Sequence, residues 1–146
     1  MPSVRKDRGL ILTGVDTMGA KEEYVRLHGL GYNCAQRVLC SCSEYTGLDE
    51  KTALAVSGGF GGGVRCGEIC GTVSGAVMAV GMAYPYIDGS DQEARALIAE
   101  KTREVIKAYM DKFGCVRCTE LKANKVSCEE LIEFGSLTAE KVINNK

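Results

Sequence analysis

Hydrophobic positions recur at helical spacing along most of the chain, and no segment alternates apolar and polar residues as a strand with one buried face would. Lys21–Leu30 sets Tyr24, Leu27 and His28 at helical spacing before Gly29 and Gly31 stop it. Asn33 with Gln36 three residues later reads as a capping box. It predicts a helix from Cys34, in its first turn, to about Thr46, with Gly47 ending it. Asp49 or Glu50 opens a short helix to Ser57, which breaks at the glycine-rich run 58–63. Residues 1–19 show no period, which predicts a loosely ordered N-terminal arm ahead of a single helical domain over 20–146.

The stretch Glu68–Ala83 carries Gly71, Ser74, Gly75, Ala79 and Gly81. So many small residues weaken a helix unless its neighbours approach closely, so this segment is expected to be the central helix. Ser90 and Asp91 cap the longest helix, to Phe113 with Gly114 after it. Ala94, Ile98, Val105, Tyr109 and Phe113 form its inner stripe, and Glu93, Arg95, Glu100, Lys101, Glu104 and Lys107 its solvent side. A last helix starts near Ser127, with Glu130 in capping position. The expected fold is all-α, a compact bundle of about five to six helices.

At 146 residues the chain is long enough to bury a core in one domain. Eighteen basic against nineteen acidic residues leave a net charge of -1, which lacks the footprint of a nucleic-acid binder. The longest apolar run, VSGAVMAVGMAY at 73–84, is shorter than the roughly 18 to 20 residues of a membrane span. Arg5, Lys6 and Arg8 precede a short apolar piece, but Asp16 follows without a cleavage-site pattern, so a cytoplasmic location is expected. A reducing compartment turns eight cysteines from a disulfide framework toward metal, cluster or redox use.

The cysteines fall into three groups: Cys34, Cys40 and Cys42; Cys66 and Cys70; Cys115, Cys118 and Cys128. Several stand at expected helix starts or in glycine-rich turns, where N–H groups and the helix dipole favour thiolate. Cys66 and Cys70 on one regular helix would have Cβ atoms about 5–6 Å apart, wider than the roughly 3.8 Å of a disulfide, so Cys66 is a secondary metal candidate. Cys115 and Cys118 form CxxC, which can close a disulfide or chelate a metal, and are the redox-catalytic candidates. Each cysteine can also be an ordinary small core residue, the favoured or even reading for Cys40, Cys42 and Cys66. Met78, Met82 and Met110 read as core filler. His28 reads as packing or a helix-end contact rather than a ligand. The run GGFGGG reads as close packing around a turn rather than a phosphate cradle, with N–H groups free to meet cluster sulfurs.

The segments GYNCAQ at 31–36, GLDE at 47–50, GGFGGG at 58–63, CGTVSG at 70–75 and CTEL at 118–121 together resemble the redox-active family called C_GCAxxG_C_C, over roughly Lys21 to Asn145. The resemblance implies that Cys34, Cys70, Cys118 and Cys128 are the defining quartet. Where the family name spells Gly-Cys-Ala-x-x-Gly, this chain has Ile69-Cys70-Gly71-Thr72-Val73-Ser74. Related domains in split-Soret-type cytochromes imply an iron–sulfur centre in the cysteine-bearing part. No CxxCH occurs, which excludes covalent c-type haem.

Four thiolates are the ligand number of an iron–sulfur cluster or of tetrahedral zinc. The expectation is therefore electron transfer or redox sensing through a cluster or other metal on Cys34, Cys70, Cys118 and Cys128. The alternatives are a thiol–disulfide oxidoreductase or switch and a zinc-stabilised interaction module. If the protein is an enzyme, an oxidoreductase is expected. A redox partner protein is the expected contact, with no nucleic acid and no membrane, and a homo-oligomer is compatible with the sequence.

Overall fold

A computed structural model describes residues 19–145, so the expected arm at 1–19 lies outside the described residues except for Gly19. Eight α-helices follow one another: α1 (Ala20–Arg26), α2 (Cys34–Ser41), α3 (Ser43–Thr46), α4 (Glu50–Ser57), α5 (Gly71–Ala83), α6 (Gln92–Phe113), α7 (Cys118–Ala123) and α8 (Cys128–Asn144). A 3-10 turn (Gly58–Phe60) and a wide turn (Gly63–Gly67) join α4 to α5. No strand occurs among the described residues, so the class is all-α. No described helix is long and apolar enough to cross a membrane.

Local sequence sets most boundaries. Asn33 caps α2 through the Gln36 N–H, and the Gln36 side chain accepts from the Asn33 N–H, closing the capping box. Asp49, Asp91 and Ser127 cap α4, α6 and α8 through the N–H groups of Thr52, Ala94 and Glu130. Gly47 and Gly114 end α3 and α6 in the left-handed conformation that glycine tolerates.

The helix count exceeds the expected five to six for two reasons. The segment expected as one helix from Cys34 to Thr46 breaks at Cys42, whose φ and ψ of -100° and 19° depart from helical values. The short α7 carries too few residues to show a period in the sequence.

The small-residue helix α5 is central, packed on α2, α8 and α6. A Cβ at Gly75 would lie 2.8 Å from the Ala35 carbonyl oxygen, so glycine there lets α2 lie against α5. Val73, Ala76, Ala79 and Val80 of α5 meet a core that includes Val38, Leu39, Val105, Tyr109, Ile132 and Ile143. The hydroxyls of Ser41 and Ser136 hydrogen-bond at 2.9 Å and tie α2 to α8 inside it. Three readings are corrected. Met82 and Met110 are exposed rather than core filler. Lys101 is buried, donating to the Asn145 carbonyl at 2.6 Å beside the Tyr84 ring. Finally, α5 begins at Gly71 rather than Glu68, because residues 68–70 are extended against residues 116–118.

Candidate functional site

Each of Cys34, Cys70, Cys118 and Cys128 stands at the start of a helix: Cys34, Cys118 and Cys128 open α2, α7 and α8, and Cys70 is the cap residue of α5. All four line one cavity of about 60 Å³, and Cys40, Cys42, Cys66 and Cys115 do not. On this measure a water needs about 10–15 Å³, so the space takes a few waters or a small inorganic group. Gly62, Thr72 and Lys122 add polar lining, and Val126 and Leu131 form an apolar wall. Cys70 and Cys118 are buried, Cys34 is half-buried and Cys128 is exposed.

Short-range pairing explains why cysteines distant in sequence meet. The Cys70 N–H donates to the Val116 carbonyl at 2.8 Å and the Cys118 N–H to the Glu68 carbonyl at 2.6 Å, around an isolated antiparallel bridge between Ile69 and Arg117. A two-pronged Arg117–Glu68 ion pair and a Thr119 Oγ1 hydrogen bond to the Gly67 carbonyl hold the same junction. The wide turn before it has Val64 and Arg65 in the left-handed region, at φ 58° and 61°, a conformation that costs non-glycine residues roughly 1–3 kcal/mol each. Gly63, at φ 63°, could carry no side chain, since its Cβ would lie 2.6 Å from the Glu68 backbone and 2.9 Å from the Cys118 Cβ. Asn33 donates through Nδ2 to the Gly58 carbonyl, and Gln36 through Nε2 to that of Leu54. The two bonds fix the start of α2, and with it Cys34, against the glycine-rich loop. Gly71 completes the cradle, because a Cβ there would fall 2.5 Å from the Cys34 sulfur.

The backbone N–H groups of Gly62 and Ala35 act to lower the pKa of the Cys34 thiol. Even so, the Cys34 thiol is pushed above its ordinary range. Burial is the largest cause, and the negative charge that Cys70 and Cys128 would carry adds to it against the two N–H groups. At Cys70 the sulfur lies 3.1 Å from Thr72 Oγ1, which in turn accepts a 2.7 Å hydrogen bond from the Tyr109 hydroxyl. Burial raises the Tyr109 phenol far above its usual range, so it remains a donor.

The remaining cysteines are separately accounted for. Burial pushes Cys40 up to about 11 and Cys42 up to about 12, so both are inert thiols in the core. Cys66 is exposed in the wide turn and donates to the Gly63 carbonyl at 3.4 Å. It shares no helix with Cys70, because the left-handed turn replaces the expected helical register. The CxxC pair is likewise divided: Cys118 lines the cavity, while Cys115 is buried near the Phe113 carbonyl and Asn124 Nδ2. All eight thiols are free. His28 stands 3.3 Å from Glu129 on the surface and does not line the cavity.

Among the described residues, no three His, Cys, Asp or Glu side chains stand close enough together to hold a single metal ion. Four cysteine thiols are by their chemistry a donor set suited to a thiolate-bound group. Cys34, Cys70, Cys118 and Cys128 are the residues that could hold one. Sequence reading missed Thr72 and Lys122 as lining residues. The only signals for Thr72 were its place two residues after Cys70 and a buried tyrosine stripe on the longest helix.

No curated protein and no solved structure is found to match the chain. Over residues 32–142, which include all four cavity cysteines, it matches the family described as "Putative redox-active protein (C_GCAxxG_C_C)". With three quarters of its length matched in this way, the chain belongs to the C_GCAxxG_C_C family.

Proposed function

We propose that this protein is redox-active through an iron–sulfur cluster held by Cys34, Cys70, Cys118 and Cys128, and that it transfers electrons or senses redox state. The observation that carries this reading is the selectivity of the cavity, whose lining takes in these four cysteines and leaves out the other four. Supporting it, the backbone N–H groups of Gly62 and Ala35 favour the charged form of Cys34, and Thr72 Oγ1 lies 3.1 Å from the Cys70 sulfur. Such contacts stabilise sulfur-borne negative charge and tune a cluster's potential. The bound cluster would supply the one-electron chemistry. The protein's own residues would supply four ligands and a largely apolar wall, with Cys128 the exposed member of the four.

A dithiol switch within the quartet is the second reading, favoured by the closeness of Cys34 to the backbone after Cys70. Oxidation of Cys34 and Cys70 to a disulfide would release two electrons and two protons to a disulfide or other two-electron acceptor. A zinc module ranks behind both, since no single-ion grouping stands among the described residues.

Anaerobic isolation with iron and sulfide analysis, ultraviolet–visible absorption and EPR separates these readings. Stoichiometric iron and acid-labile sulfide with a charge-transfer spectrum are expected. An iron-free protein that forms one specific disulfide on oxidation would replace the cluster by the switch.

A further inference from the structure

Three helices converge on Cys70 through side chains that the cysteine quartet does not explain. Thr72, on the first turn of α5, is fully buried and places Oγ1 3.1 Å from the Cys70 sulfur. Tyr109, from the middle of α6, is also fully buried and donates its hydroxyl to Thr72 Oγ1 at 2.7 Å. Its ring is fixed edge-on against Phe134 of α8, with centroids 5.0 Å apart, and tilted against Phe113 at 6.0 Å. On α8, Gly135 leaves the hydroxyl its space, since a Cβ there would lie 2.6 Å from the Tyr109 oxygen.

The direction of this chain follows from proton counting. A metal-bound sulfur carries no proton, so in a loaded centre only Thr72 can donate in the Thr72–Cys70 contact. Tyr109 already gives its proton to Thr72, which leaves the threonine hydrogen free to point at sulfur and polarises it further. A donor held on a ligand sulfur favours the more negatively charged, reduced state and so raises the reduction potential.

We propose that Thr72, aligned by Tyr109, is the hydrogen-bond donor to the Cys70 sulfur and is a positioning residue that sets the reduction potential of the centre. The donor direction and the effect on potential rest on the four-cysteine cluster, whereas the Thr72–Cys70 contact itself does not.

The test uses full-length wild type, Thr72→Val, Thr72→Ser and Tyr109→Phe. Thr72→Val keeps the shape and removes the hydroxyl, and Thr72→Ser restores it. In cluster-loaded protein of equal iron content, the midpoint potential is expected to fall in Thr72→Val, to fall less in Tyr109→Phe and to return in Thr72→Ser. In metal-free reduced protein, the Raman S–H stretching band of Cys70, identified by its loss in Cys70→Ala, is expected to fall in Thr72→Val and to return in Thr72→Ser. Equal potentials in all four loaded proteins would overturn the inference and leave the cluster standing. A wild type without iron would remove the cluster, and the S–H band then decides: an identical band in all variants, or one that rises in Thr72→Val as the loss of S–H donation would make it, overturns the inference, and a band that falls and returns upholds the donor at Cys70. Should Thr72→Val fail to fold, Tyr109→Phe, which deletes one oxygen, carries both readouts.

Discussion

Gly71→Ala and Gly81→Ala place the same methyl group on the same helix and should act with opposite sign. At Gly71 the added Cβ would meet the Cys34 sulfur at 2.5 Å, the Phe60 carbonyl oxygen at 2.9 Å and the Ala35 nitrogen at 3.3 Å. Two of these atoms are backbone, so a rotamer change cannot relieve the clash, and α2 or the 3-10 turn must shift. Overpacking of this kind costs about 1–3 kcal/mol. Alanine's better helix propensity returns up to about 1 kcal/mol, leaving a net loss of about 1–2 kcal/mol. At Gly81 nothing lies within 4 Å of the added Cβ, so only the propensity gain remains, about 0.5–1 kcal/mol near a helix end. For a chain of this size the first corresponds to a fall in Tm of roughly 4–8 °C and the second to a rise of roughly 2–4 °C. Thermal melts followed by far-ultraviolet circular dichroism, on metal-free reduced protein so that ligand binding does not move Tm, would read both. Iron content after reconstitution gives a second readout, expected to drop in Gly71→Ala because Cys34 is displaced and to stay unchanged in Gly81→Ala. A Gly71→Ala protein as stable as Gly81→Ala, with full iron, would refute the close approach of Cys34 to α5.

Other outcomes follow from the same contacts. Arg37 is buried and pairs through both terminal nitrogens with Glu129 while reaching the Tyr24 carbonyl at 3.0 Å, so Arg37→Ala should cost about 1.5–3 kcal/mol in urea unfolding. The hydrogen bond from Arg37 holds the Glu129 carboxyl below its usual range; its stabilising contribution is therefore present above pH about 4.5 and lost as pH falls through the folded value, and Glu129→Gln should flatten that acid limb. Burial raises Cys40 to about 11 and Cys42 to about 12, so their contribution is full below about pH 8.5 and lost as pH rises toward those values; Cys42→Ala should flatten the alkaline limb of a stability profile. Leu121, fully buried in α7, should cost about 2–5 kcal/mol when cut to alanine, measured by denaturant midpoint.

Much of this architecture was legible in the sequence because local chemistry decided it. The Asn33–Gln36 box, the Asp49, Asp91 and Ser127 caps and the glycines at 47 and 114 act within a few residues and fixed the starts of α2, α4, α6 and α8 and two helix ends. The small-residue composition of 71–83 correctly marked the central helix. What escaped was set at long range. The start of α5 moved to Gly71 because residues 68–70 bond to residues 116–118, a pairing too short to leave an alternating pattern. Cys66, expected around the start of the central helix, stands in a turn that the left-handed residues Val64 and Arg65 shape. Lys101 read as solvent-facing, yet the far end of the chain supplies the Asn145 carbonyl that lets it be buried. At the site, the family resemblance singled out the quartet. The Thr72–Tyr109 chain was invisible, because 37 residues separate its members and neither type marks chemistry alone.

The most direct test of a single four-cysteine centre is iron content per chain, measured after anaerobic reconstitution of eight single Cys→Ser variants. Cys34→Ser, Cys70→Ser, Cys118→Ser and Cys128→Ser are expected to lose most of their iron and visible absorption. Cys40→Ser, Cys42→Ser, Cys66→Ser and Cys115→Ser, once checked for folding by circular dichroism, are expected to keep wild-type levels. Equal iron in all eight variants, or its loss on replacing Cys66 or Cys115 alone, would contradict a centre built on the cavity quartet.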